Sequence, residues 1–308
     1  MTLQARTDIA GTPVPWRGIC FGLAAAAIWG AWPVASRYGV QQSLGALDIT
    51  FIRFAVAGAI LLPVLVRRGC GQIGWLRAVL LSLGAGAPYV LVSVFGLEFA
   101  PAGHAGIVIP GVMLTASILG GWYLLGDRPD RHRWLGLAAI LSGLLLLGFA
   151  SGGAGTATQS GLAGGHLLFA VGGVMWASYT VLVRRWQVEP VQATALVSVL
   201  SFVGFAPYYL FAKGTVLLAA PVGELLFQAV AQGLFAGVLA LIFYTKAVAA
   251  LGAARGALFA ALVPGLAMVF AYPVLGEVPG PAQVCGLVLA TGGMLLALGV
   301  ARMGRLRR

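Results

Sequence analysis

A chain of 308 residues that is 60% hydrophobic and only 9% charged, with mean hydropathy +0.97, falls outside the range of soluble domains; those stay near about half apolar and about a quarter charged. It reads as an integral membrane protein. Its 19 Lys and Arg against 8 Asp and Glu give a net charge of +11, which in such a chain is a topology signal rather than a nucleic-acid surface.

A crossing helix needs about 20 mostly apolar residues, and ten such runs follow one another. The first, 17–36, continues past Ala24-Ala25-Ala26-Ala27 to Trp32, so it is read as an uncleaved span with Trp29 near its middle, not as a secretion signal. The second, 47–66, opens at Asp48 and carries Arg53. The third, 78–97, contains Gly84-Ala85-Gly86-Ala87-Pro88-Tyr89 at mid-depth, with Ser93 one turn further on. The fourth, 103–125, begins beside His104 and holds Ile107, Ile109 and Pro110-Gly111. The fifth is 134–150, and a Gly/Ser/Thr-rich linker, 151–161, separates a first unit (1–150) from a second (162–308). The sixth span, 162–183, carries His166, Trp176 and Tyr179; the seventh is 191–211; the eighth, 223–245, ends at Tyr244. The ninth, 256–275, has Pro264-Gly265 at its centre, and the tenth is 282–301.

The two units echo each other. Leu125-Gly126-Asp127, Pro129, Gly136 and Gly143 recur 150 residues later as Leu275-Gly276-Glu277, Pro279, Gly286 and Gly293. Trp29, Trp32 and Arg37 correspond to Trp176, Tyr179 and Arg184 at an offset of 147. With a cytoplasmic N-terminus, all 19 basic residues except Arg37, Arg53 and Lys213 fall on the inner side, which predicts both termini in the cytoplasm. Five spans per unit is an odd number, so the second unit enters the membrane inverted. The expected architecture is all-α, ten transmembrane helices in two inverted five-helix repeats around a central cavity, an arrangement suited to alternating access.

A membrane enzyme would need an acid/base pair, an activated nucleophile or a metal cluster, and the sequence offers none. The acidic residues map to span ends or loops, and Cys20, Cys70 and Cys285 lie far apart with no ligand spacing. A channel would show rings of charge or a carbonyl filter, again without support.

Intramembrane proline and glycine free backbone groups that lipid cannot satisfy. Pro88, Pro110 and Pro264 are therefore either static kinks or places where a cavity opens. Trp29 and Trp176 sit away from the interfaces that tryptophan prefers; they pack the repeat interface or face the solute. With Tyr89, Ser93, Ile107, Tyr179 and Tyr244 they make up the candidate cavity, one suited to a small neutral, zwitterionic or aromatic solute. Arg53 within a span demands a role: snorkelling to pair with Asp48 or helix-end carbonyls, or else binding a substrate carboxylate or latching the outer gate. Asp48, Arg53, His104 and His166 are the gating or coupling candidates. No carboxylate lies at mid-membrane, so gradient-driven movement is expected rather than obligatory antiport.

Trp29-Gly30 before Arg37, Asp48-x4-Arg53-Phe54, the run from Trp176 to Arg185 and the repeated Leu125-Gly126-Asp127 and Leu275-Gly276-Glu277 resemble the EamA family of the drug/metabolite transporter superfamily. The resemblance covers residues 17 to 301. It implies outward transport of metabolites across a bacterial inner membrane, and Tyr89, Pro110 and Trp176 match the YddG-type exporters of aromatic amino acids, where they would line the central cavity. Ile107 and Ile109 depart from that type, which carries aromatic side chains just before the proline of the fourth span. The expected protein is an inner-membrane secondary transporter exporting small neutral or aromatic amino acids and related metabolites. Other small amphipathic metabolites or drugs are the neighbouring reading; a non-transporting membrane enzyme or receptor is the rival from another class. Its partners would be a small solute and the bilayer, with no cofactor, metal or nucleic acid, and the sequence carries no signal for oligomeric state.

Overall fold

A computed structural model describes residues 16–150 and 159–299, so most of the linker at 151–161 and the basic C-terminal tail lie outside the described residues. All of the described helices form one bundle: α1 (Trp16–Gln41), α2 (Ala46–Arg68), α3 (Gly74–Ala85), α4 (Ala87–Phe99), α5 (Ala102–Leu125) and α6 (Arg131–Ala150), then α7 (Gln159–Arg185), α8 (Pro190–Lys213), α9 (Val222–Gln228), α10 (Ala240–Leu251), α11 (Ala253–Ala260), α12 (Val263–Leu275) and α13 (Pro281–Ala297). A π-helical stretch, Ala229–Leu239, joins α9 to α10.

Eight stretches are long and apolar enough to cross a membrane: α1, α2, α3 with α4, α5, α7, α8, α9 through α10, and the α11–α12 pair. The sequence suggested ten. Of the other two, α6 opens on Arg131, His132 and Arg133, and α13 spans 17 described residues. Outward-facing side chains such as Leu76, Leu145, Val203 and Phe211 are exposed, a surface that water would penalise and lipid accepts. This is a multi-pass membrane protein.

The third span is broken, as its glycines suggested. Gly86 separates α3 from α4, and a Cβ there would collide with Ser201 Oγ and the Ser82 carbonyl. The Ala87 amide, freed by the break, donates to Ser201 Oγ of α8 at 3.0 Å, and Pro88 sits in the first turn of α4, where its missing N–H is harmless. Likewise the ninth span breaks at Ala261–Leu262, with Pro264 in the first turn of α12. Pro110 differs: α5 runs through it unbroken.

The repeated sequence motifs form the same local structures. After α5 and after α12, Gly126 and Gly276 adopt left-handed conformations, φ 76° and 67°. The next residue's amide, that of Asp127 or Glu277, reaches back to Gly121 or Ala271, a Schellman ending in both. The matched glycines lie on one seam. A Cβ on Gly143 would lie 2.7 Å from the Gly286 carbonyl oxygen, and one on Gly136 would lie 2.7 Å from that of Gly293. Side chains are absent there because the α6 and α13 backbones touch. Contacts elsewhere pair in the same sense: α1 packs on α10 and α12, while α7 packs on α4 and α5.

Candidate functional site

α1, α4, α5, α7, α10, α11 and α12 surround a cavity of about 310 Å³, at the small end of the range for ligand sites. Its wall is aromatic. Trp29 and Trp32 come from α1, Tyr89 from α4, Trp176 and Tyr179 from α7, and Tyr244 from α10. They form two connected sets. Trp32 stacks on Tyr89 (centroids 6.0 Å, 22°), Tyr89 meets Trp176 edge-on (4.8 Å, 60°), and Trp176 meets Tyr179 (5.7 Å, 61°); across the cavity, Trp29 tilts against Tyr244 at 5.2 Å. Edge-to-face rings hold one another in position, so the wall is fixed by its own contacts.

Of the residues singled out from sequence, Trp29, Tyr89, Pro110, Trp176, Tyr179 and Tyr244 line this cavity. Pro88, Ser93, Ile107 and Pro264 are not among its lining residues. Ser93 is buried at the α4–α7 contact, where it faces Gly172. Ile107 points into the core and Ile109, two positions on, takes the wall position; two helix positions are about 200° apart, so both cannot face one side. Pro264 is buried in the first turn of α12, and its neighbour Val263 contributes instead. Trp32 and Met113 were not foreseen. Trp32 had a usable signal, because it lies one turn from Trp29 on the same face and its repeat partner Tyr179 is also in the wall.

A smaller chamber of about 80 Å³ adjoins the first, and Trp29, Trp176, Tyr179 and Leu241 line both. Arg53 projects into it from α2. The expected pairing of Arg53 with Asp48 is not made. Five residues on a helix turn the side chain by about 140°, so the two point apart. Asp48 is buried near the start of α2, accepting from the Gly45 amide (2.8 Å) and from Tyr209 Oη of α8 (2.7 Å). Nor does Arg53 snorkel: it is 8% exposed, its one hydrogen bond runs 3.5 Å from Nη2 to the Ala236 carbonyl, and Nε and Nη1 have no partner. Its guanidinium lies over Trp32 at 5.7 Å and over Phe54 at 5.9 Å. A membrane-buried arginine costs about 2.5–3.5 kcal/mol even on lenient scales, and cation–π contacts of about 1–2 kcal/mol offset only part of that.

Ala236 belongs to the π-helical stretch, which the sequence reading treated as ordinary helix. Gly233-x-x-x-Gly237 within it is a close-packing pattern: a Cβ at Gly237 would stand 2.8 Å from Ala57 Cβ of α2. Two buried glutamines on the same face were also missed. Gln228 donates to the Ala35 carbonyl (2.8 Å) and Gln232 to Ser36 Oγ (2.9 Å), pinning this span to α1.

Two of the three histidines meet at one end of the bundle, His104 Nδ1 lying 2.9 Å from His166 Nε2. At that end Arg37 pairs with Glu277 (2.9 Å) and donates to the Leu97 and Ala100 carbonyls. Glu277 in turn accepts from the Ala102 and Gly103 amides that open α5. At the far end of α5, about 36 Å away for its 24 residues, Asp127 pairs with Arg184. Among the described residues no group of three or more His, Cys, Asp or Glu is arranged to hold a metal.

The sequence profile of the EamA-like transporter family matches residues 16–149 and again 163–299. An uncharacterized transporter, YyaM, of Bacillus subtilis (strain 168) is 30% identical over 261 residues, covering 82% of this chain and 84% of the relative. A probable terminal-alkyne amino-acid exporter of Streptantibioticus cattleyicolor is 28% identical over 262 residues, 84% of each chain. One crystal structure shares the fold at TM-score 0.64 and 24% identity, over 94% of this chain and 99% of that one.

Proposed function

The chain belongs to the EamA-like transporter family, and we propose that it exports small neutral or aromatic amino acids and related metabolites across the bacterial inner membrane by alternating access. The observation that carries this reading is the aromatic cavity. Trp29, Trp32, Tyr89, Trp176, Tyr179 and Tyr244 enclose about 310 Å³, space for one amphipathic solute held by ring faces and a few polar groups. The relative named as a probable amino-acid exporter points to the same substrate class.

Inverted repeats of five spans are the second part of the proposal. Its support is the way contacts exchange between the two copies, at offsets of 147 residues in the first helix of each unit and 150 further on. Gly136 with Gly293 becomes Gly286 with Gly143, and both contacts lie on the α6–α13 seam. Arg37 with Glu277 becomes Arg184 with Asp127, at the opposite end of α5. Both termini then lie in the cytoplasm, as the distribution of Lys and Arg favours. Two similar units meeting at a central site give a transporter two related conformations, open to either side in turn.

Purified protein in proteoliposomes is the test. Labelled phenylalanine, tryptophan, leucine and alanine are expected to equilibrate faster than in empty liposomes; background rates for all common amino acids would reject this substrate class.

A further inference from the structure

We propose that Arg53 holds the carboxylate of the transported solute, so that the site takes amphipathic monocarboxylates, amino acids among them, with the acid head in the small chamber and the apolar body in the aromatic cavity. This rests on the exporter reading above and names its substrate chemistry. Arg53 is 8% exposed and lines the chamber, and its buried Nε and Nη1 have no hydrogen-bond partner. Neither chamber has an Asp or Glu in its wall. The acid nearest along the helix, Asp48, is engaged by Gly45 and Tyr209. A buried charge of this kind calls for a counter-ion, and the planar fork of arginine matches a carboxylate through two parallel hydrogen bonds.

The volumes agree. A chamber of about 80 Å³ holds more than one water, enough for a carboxylate and too little for an aromatic side chain. Because Trp29, Trp176 and Tyr179 line both spaces, a solute with its acid on Arg53 lays its body among the rings. An ammonium group would find no carboxylate there, only ring faces and neutral hydroxyl or carbonyl oxygens, so the amino group of an amino acid is dispensable and the acid is not.

Four probes separate these requirements: phenylalanine, 3-phenylpropionate (no amine), phenylalaninamide and 2-phenylethylamine (no acid). Binding is read from the thermal stability of purified wild-type protein, and flux from the same compounds in proteoliposomes. The two acids are expected to bind at least about tenfold more tightly than the two amines, the value of one charged hydrogen bond. Arg53→Gln should abolish that gap and Arg53→Lys retain part of it. Equal binding of acids and amines by wild type overturns the proposal whether or not the variants fold, as does an undiminished gap in Arg53→Gln. Acids that bind without crossing support the Arg53 site and reject the exporter reading. Amines that cross while acids do not bind reject the Arg53 site and, because phenylalanine is one of the acids, replace amino acids by amines as the transported class; silence of all four in both measurements rejects the site and the exporter reading together.

Discussion

Arg37 Nε lies 2.9 Å from Glu277 Oε1, and this ion pair joins the end of α1 to the turn before α13 while the same carboxylate caps α5 through the Ala102 and Gly103 amides. Three elements meet on one side chain. Both partners are mostly shielded, with side chains 19% and 17% exposed, whereas Arg184 and Asp127 at the other end of the bundle are 61% and 34% exposed. The Arg37 pair is therefore the better shielded of the two, and α12, whose end it ties to α1, packs against α5.

Glu277→Gln keeps the shape of the cap but removes the charge. Hydrogen bonds to a charged group are worth about 1.5–3 kcal/mol against about 1 for a neutral one, so opening at this end should become roughly tenfold more frequent. Hydrogen–deuterium exchange of a peptide covering residues 100–106 is expected to accelerate by that factor, with no change around residues 184–188. Unchanged exchange at 100–106 would mean that the cap, not the charge, holds α5.

The glycine seam of α6 and α13 gives a sharper contrast. Gly143→Leu must force a side chain into the α13 backbone, since even a Cβ would stand 2.7 Å from Ala290 N and from the Gly286 carbonyl. Overpacking costs about 1–3 kcal/mol and more where backbone is the obstacle. Gly148→Leu, on the same helix with nothing within 4 Å of its Cβ, should be neutral. Thermal melting in detergent is expected to fall by several degrees or more for the first and to stay unchanged for the second.

Much of this seam was legible in sequence because close packing leaves a mark: only glycine tolerates backbone contact, so Gly136, Gly143, Gly286 and Gly293 survive in both copies. The break at Gly86 was legible for a similar reason. Other features left weaker marks. Ile107 and Ile109 are chemically alike, and which one faces the cavity depends on the rotation of α5, which its uniformly apolar sequence does not encode. The partner of Asp48 is Tyr209, separated by 161 positions, beyond the reach of any local pattern. The π-helical turn carrying Ala236 has no proline to announce it, and its hydrophobicity is that of any span.

Tyr209 and Asp48 are both buried, and the ring of Tyr209 stacks on Phe51 at 4.2 Å and 14°. Tyr209→Phe preserves that stacking and deletes the hydroxyl, leaving Asp48 Oδ1 without its donor. An orphaned buried acceptor costs about 1–3 kcal/mol. The variant should melt several degrees lower, and Asp48→Asn should restore part of the loss in the double variant, because a neutral amide is cheaper to bury than an unpaired carboxylate. Additive losses would show that the two side chains do not act through each other.

Trp176 is one of the four residues that line both chambers, and it touches Tyr89 on one side and Tyr179 on the other. Trp176→Ala removes a ring from both walls and frees its two neighbours. An aromatic pair contributes about 0.5–1.5 kcal/mol beyond its buried area, so losing two such pairs should slow amino-acid flux by roughly tenfold or more at equal membrane expression. Trp176→Phe should retain much of it. The α5 positions then separate shape from packing. Ile109→Phe puts a ring into the cavity and should shift preference from tryptophan toward smaller amino acids, whereas Ile107→Val, in the core behind the wall, should leave the preference unchanged while lowering stability slightly. Wild-type flux in Trp176→Ala, or a preference that follows Ile107 instead of Ile109, would move the solute path away from this cavity.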